Sequence, residues 1–143
     1  MREQFRQELK AIHTEVIGIL EAVTESTRNG VTALISGDLD LAQRVIQGDD
    51  VLDDRCTGVE ERVIETIATQ SPVARDLRLL QSLDYMAIRL ERMADLAVNI
   101  AKAASRTAGR RGPQTLYDLI QAQGNLVCRV LDATREEIGR AHV

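Results

Sequence analysis

The chain has 143 residues, a formal net charge of −4 and 28% charged side chains of interspersed sign, so one domain with a solvated surface and a real core is expected. With one Phe, two Tyr, no Trp and no basic stripe, it lacks the stacking aromatics and cationic face of a dedicated nucleic-acid binder. Cys56 and Cys128 stand alone, without CxxC spacing or disulfide-scaffold density, and are expected as reduced, buried thiols in a cytoplasmic protein.

The N-terminal MREQFRQE carries no apolar run of the secretory type, and no segment approaches the roughly 18 apolar residues of a membrane span. Helix-forming residues dominate, nothing alternates with period two, and Pro72 and Pro113 are the only prolines, so an all-α class follows. Three breakers divide the chain. Ser36-Gly37-Asp38 is a turn ending in an N-cap candidate, Asp38. At Ser71-Pro72 the serine can cap and the proline can occupy the first helical position. Gly109 to Pro113 reads as a flexible linker. Four helices are predicted between them, over 3–36, 39–70, 72–107 and 114–139, the longer ones about 50 Å long.

The first helix has the apolar seam Phe5, Leu9, Ile12, Val16, Ile19, Val23, continued by the small Ser26, Gly30 and Ala33. The second reads Ala42, Val45, Asp49, Leu52, Cys56, Val59, Val63, and the third Leu80, Leu83, Ala87, Leu90, Ala94, Ala97, Ala101. All three alternate steps of three and four, the pattern of a left-handed bundle. Short connections make neighbours antiparallel, so these helices form a closed three-helix unit over residues 1–107.

Residues 108–113 then lead to a helix outside that unit, over 114–143. Shifted by 111 positions it resembles the first: Phe5 meets Leu116, Leu9 meets Ile120 and Val16 meets Val127. Read as an internal repeat, the chain stops one helix into its second copy. Unless that helix folds back or pairs with another chain, it exposes Leu116, Ile120, Val127, Val130 and Leu131. Such a stripe predicts a homo-oligomer.

One constellation can carry chemistry. Asp49 and Asp53 on the second helix, and Glu91 and Asp95 on the third, are each i,i+4 pairs on one face. Counted from Pro72, Asp49 and Asp53 lie 23 and 19 residues back, while Glu91 and Asp95 lie 19 and 23 ahead. In an antiparallel hairpin of equal rise, Asp53 falls level with Glu91 and Asp49 with Asp95. Four crowded carboxylates repel unless protonated or bridged by a cation, and oxygen-only ligands suit hard ions such as magnesium, calcium, manganese or iron. The plainer alternative is a solvated acidic face neutralised by Arg55, Arg89 or Arg92. Enzymatic readings fare worse. The only histidines, His13 and His142, lack the Glu-x-x-His spacing of a di-iron bundle, and His13 reads as a surface residue. No phosphate loop or activated nucleophile is present in the sequence.

The stretches Gln70–Arg78 (QSPVARDLR) and Leu90–Ala101 (LERMADLAVNIA), with Ser36–Ala42 (SGDLDLA) and Val45–Asp50 (VIQGDD), closely resemble the PhoU family of phosphate-signalling proteins. The likeness runs over about residues 3–107 and extends into the last helix. It implies a non-enzymatic, cytoplasmic negative regulator of phosphate uptake. In that role it would act between a phosphate ABC transporter, through its ATPase subunit, and a sensor histidine kinase, reaching the membrane only indirectly. The family's E(D)xxxD motifs, which in some members hold metal clusters, fall here on Asp49, Asp53, Glu91 and Asp95. The implied cofactor is a divalent or trivalent metal (iron, manganese, magnesium or zinc), with Asn99 one turn beyond as a supporting contact. A metal-storing or metal-sensing bundle, or a truncated copy without full function, are the alternatives. The family's second proline-containing turn and second motif pair do not occur in this sequence.

Overall fold

The computed structural model describes residues 2–140, and these form five helical segments: α1 (Arg2–Ser36), α2 (Leu39–Gln47), α3 (Asp49–Gln70), α4 (Ala74–Arg106) and α5 (Gln114–Arg140). The all-α class holds. His142 lies outside the described residues.

The main core joins α1, α3 and α4 through the predicted seams. Ile12, Val16, Ile19 and Val23 of α1 meet Cys56, Val59 and Val63 of α3 and Leu80, Leu83, Ala87 and Leu90 of α4, all at or near full burial. A smaller cluster closes the other end, with Ala33 of α1, Ala42 and Val45 of α2, and Val98, Ala101 and Ala104 of α4. Burying each large aliphatic side chain contributes about 1.5–3 kcal/mol, so these two clusters dominate the stability of the bundle. Small residues set the spacing: a Cβ added at Gly30 would lie 3.0 Å from the Ala97 carbonyl oxygen, so α1 and α4 touch backbone to backbone there. Thr24 and Thr27 are buried in α1, but each hydroxyl donates 2.8 Å back to the carbonyl one turn earlier and is satisfied.

The expected 39–70 helix is interrupted at Gly48. The residue keeps right-handed helical angles (φ −75°, ψ −11°), with its N–H donating to the Arg44 carbonyl, so the axis kinks without a loop. Asp38 caps α2 as expected, its carboxylate accepting from the Leu41 N–H at 2.9 Å. The second breaker works differently from its sequence reading. Ser71 ends α3 in the left-handed region (φ 45°), and α4 begins after Val73, which makes no side-chain cap, so Ser71 and Pro72 start no helix. The linker opens with a turn at residues 107–109, closed by the Arg110 N–H donating to the Thr107 carbonyl, in which Gly109 supplies φ 76°; beyond it the Tyr117 hydroxyl accepts from the Gly112 N–H.

The last helix folds back. α5 runs antiparallel along α1, with Gly124 against Val31, Cys128 against Thr24 and Arg135 against Glu21, and it buries Cys128 and Leu131. His13, expected at the surface, is buried beneath its end, and its Nε2 lies 2.9 Å from the Ile138 carbonyl oxygen. This docking is partial: Leu116, Leu119, Leu126 and Val130 remain exposed.

Candidate metal centre

The two clusters of core are separated at one level of the α2/α3–α4 seam, where Asp49 takes an apolar position just after the Gly48 kink. Two local effects permit it. Asp49 lies in the first turn of α3, at the half-buried junction with α2. It also faces an acidic neighbour across the hairpin instead of a closed apolar wall. One carboxylate oxygen from each of Asp49, Asp53 and Asp95 lies within 4.8 Å of the others. All three residues are half-buried. The Oδ1 atoms of Asp49 and Asp53 are sealed from solvent and have no hydrogen-bond partner.

Glu91 stands outside this tight trio but belongs to the same field. Burial pushes its carboxyl above the usual range, with Asp53 the largest neighbouring charge adding to the effect, followed by Glu60. Burial likewise raises Asp49, reinforced first by Asp95, and raises Asp53, reinforced first by Asp49. Cys56, one turn from Asp53, is pushed up to about 11 by burial and then by Glu91 and Asp53. Among neighbouring charges Asp95 acts most on Asp49 and Asp53 most on Glu91, whereas Asp53 responds to Asp49 and Asp95.

The arginines considered as neutralisers point elsewhere. Arg55 pairs with Glu15 of α1 at 2.7 Å, and Arg89 stacks over Tyr85 and donates to its hydroxyl, while Arg92 is exposed. Lys102 is the cation that lowers Asp49, and Glu60 is a further acid beside Glu91. Both sit seven residues beyond a motif carboxylate (Glu60 after Asp53, Lys102 after Asp95), so a seven-residue extension along the same helix face would have found them. Asn99 is exposed.

A hard cation fits this donor set. With metal–oxygen bonds of about 2.1 Å, opposed ligand oxygens stand about 4.2 Å apart, within small side-chain adjustments of the trio. Two orphaned buried acceptors with raised proton affinity are the condition that a cation relieves.

Comparison with known proteins places this geometry in a lineage. A family model described as "PhoU domain" matches residues 16–104, which contain all four motif carboxylates. The "Phosphate-specific transport system accessory protein PhoU homolog" of Rhizobium meliloti (strain 1021) is 37% identical over 112 residues, covering 78% of this chain and 47% of the relative. The "Phosphate-specific transport system accessory protein PhoU" of Escherichia coli (strain K12) is 31% identical over 133 residues, covering 83% and 55%. A homolog so named from Clostridium acetobutylicum is 30% identical over 138 residues, covering 96% and 61%. The chain thus spans about half the length of the curated relatives it matches. It belongs to the PhoU family.

Proposed function

We propose that this chain is a non-enzymatic accessory regulator of phosphate-specific transport, with a carboxylate metal site on its α3–α4 face. The relatives' names support the transport association, and a PhoU-like unit over residues 1–107 carries it. In this reading α5 is the first helix of a second repeat; its antiparallel course along α1 supports a two-fold relation between repeats. The finer role is that of a cytoplasmic adaptor, restraining phosphate uptake by contacting the transporter's ATPase subunit and a sensor histidine kinase. Charged, solvated helix faces suit such docking.

One observation carries the metal reading: two sealed carboxylate oxygens without partners, on helices that bring a third Asp within 4.8 Å. A bound cation supplies positive charge that cancels the carboxylate repulsion. Asp49, Asp53 and Asp95 would hold it, with Glu91 positioned to extend the set. Iron, manganese, magnesium and zinc are all compatible with oxygen donors, the first three more naturally.

Elemental analysis of protein purified without chelator tests the site. Metal is expected in the wild type and absent from Asp49→Ala with Glu91→Ala; equal content in both rejects the assignment. A binding assay against the transporter ATPase tests the adaptor role, and a folded chain that does not associate argues against it. A second reading, a metal-sensing bundle, is favoured by the site's place at the Gly48 kink between the two core clusters, where a cation would tie α3 to α4.

A further inference from the structure

The end of the bundle where α1 and α4 begin holds a cavity of about 480 Å³ between those two helices. Its floor is apolar, made by the half-buried Phe5 and Leu79 with the buried Leu9. Its walls are cationic. Arg2 and Arg6 come from α1 at i and i+4, on one face, and Arg75 comes from the first turn of α4. Asp76 is the one acid among the lining residues, so three positive charges stand against one negative.

This arrangement is unfavourable without a counter-ion. Among the described residues Arg55, Arg62, Arg135 and Arg140 make the ion pairs, and Arg2, Arg6 and Arg75 take part in none. Like charges at i and i+4 repel one another. Arg2 and Arg75 also sit in the first turns of their helices, where the helix dipole disfavours a cation. Three guanidiniums from two helices nevertheless converge on one hollow, and an anion held there relieves all of these effects together.

We propose that this cavity binds a phosphate group, with Arg2, Arg6 and Arg75 donating to its oxygens and Asp76 accepting its remaining proton. Planar guanidinium forks donate to oxyanions in pairs of hydrogen bonds. A carboxylate has two oxygens, too few for three forks and Asp76 together; a tetrahedral oxyanion has four. Sulfate keeps no proton near neutral pH, so its oxygens would face the Asp76 carboxylate, which only accepts, without a hydrogen bond. Phosphate keeps a proton for that acceptor. The single acid in a basic cavity thus discriminates between two anions of one shape. The volume admits free phosphate with water, or a small monoester whose carbon body lies on Phe5 and Leu79. Arg75 and Asp95 are 20 residues apart on α4, about 30 Å along the helix, which separates this cavity from the carboxylate seam. The inference rests on neither the metal centre nor the transport role.

Calorimetric titration of the chelator-treated full chain with inorganic phosphate, phenyl phosphate and sulfate tests it, at pH 6, where monoesters are still about half protonated. Saturable phosphate binding is expected, with sulfate roughly tenfold weaker or more. Arg6→Gln and Arg75→Gln, both at exposed positions, are each expected to weaken phosphate by roughly tenfold with unchanged circular dichroism. Asp76→Asn should erase most of the preference over sulfate. Phenyl phosphate identifies the source: tighter binding than inorganic phosphate assigns a monoester, and otherwise the ligand is the free ion. Asp49→Ala with Glu91→Ala should bind phosphate as the wild type does. No saturable phosphate binding by the folded wild type overturns the proposal. So does equal affinity for sulfate, binding that both arginine variants leave unchanged, or binding that the carboxylate double variant abolishes.

Discussion

Asp49 and Asp53 are each an acid in a place that disfavours its charge, and the consequences are measurable. Their folded pKa values are raised, and the unfolded chain's are ordinary. Above the folded values both states are ionised, and the native state bears the full repulsion. As pH falls through those values the native carboxyls take up protons first, and the cost disappears below the unfolded pKa. The melting temperature of chelator-treated protein is therefore expected to rise as pH is lowered from 7 towards the carboxylate range, before general acid unfolding begins. Saturating divalent cation should remove that rise. Asp53→Asn, which keeps the shape and deletes the charge, should stabilise the metal-free protein at pH 7 by up to about 1 kcal/mol, a shift of a few degrees. A lower melting temperature for this variant would count against repulsion as the dominant effect. Cys56, buried and raised to about 11, should resist alkylation at pH 8 in the folded protein and react on unfolding.

The helices show which parts of this arrangement can be read from a sequence. Steps of three and four place Leu9, Val16, Val59, Leu83 and Ala94 in the core because periodicity alone selects the buried face of a helix. The same arithmetic brings Asp95 across the hairpin towards Asp49 and Asp53, since a rigid hairpin transmits register over several turns, while Glu91 stays outside that tight group. Features that depend on tertiary partners were not legible. Gly48 looks like any helical glycine until the two core clusters demand a change of direction. His13 reads as exposed until α5 covers it. The return of α5 along α1 rests on Gly124, where a Cβ would stand 2.9 Å from Val31. Gly124→Leu is therefore expected to undock α5, costing about 1–3 kcal/mol from overpacking. Hydrogen exchange should then speed up across residues 114–140 but stay slow in α1, α3 and α4. Uniform acceleration through the chain would show instead that α5 and the bundle unfold as one unit.

At the scale of the molecule, a three-helix unit supplies stability, an acidic seam opens on one face, and a basic cavity opens where α1 and α4 begin. These are separable: the carboxylates lie on the α3–α4 side, and Arg6 and Arg75 line the α1–α4 cavity, so substitutions at one should leave the other intact. The proposed metal site rests on the Asp49, Asp53 and Asp95 cluster. Calorimetric titration of chelator-treated full-length chain with Mn²⁺ and Mg²⁺, alongside thermal melts, tests it most directly. The account predicts saturable binding at one or more sites per chain and a melting temperature that rises with cation, by about 2.7 kcal/mol of added stability at a hundredfold excess over Kd. Both effects should vanish in Asp49→Ala with Glu91→Ala. No binding by the folded wild type, or equal binding by that double variant, would contradict it.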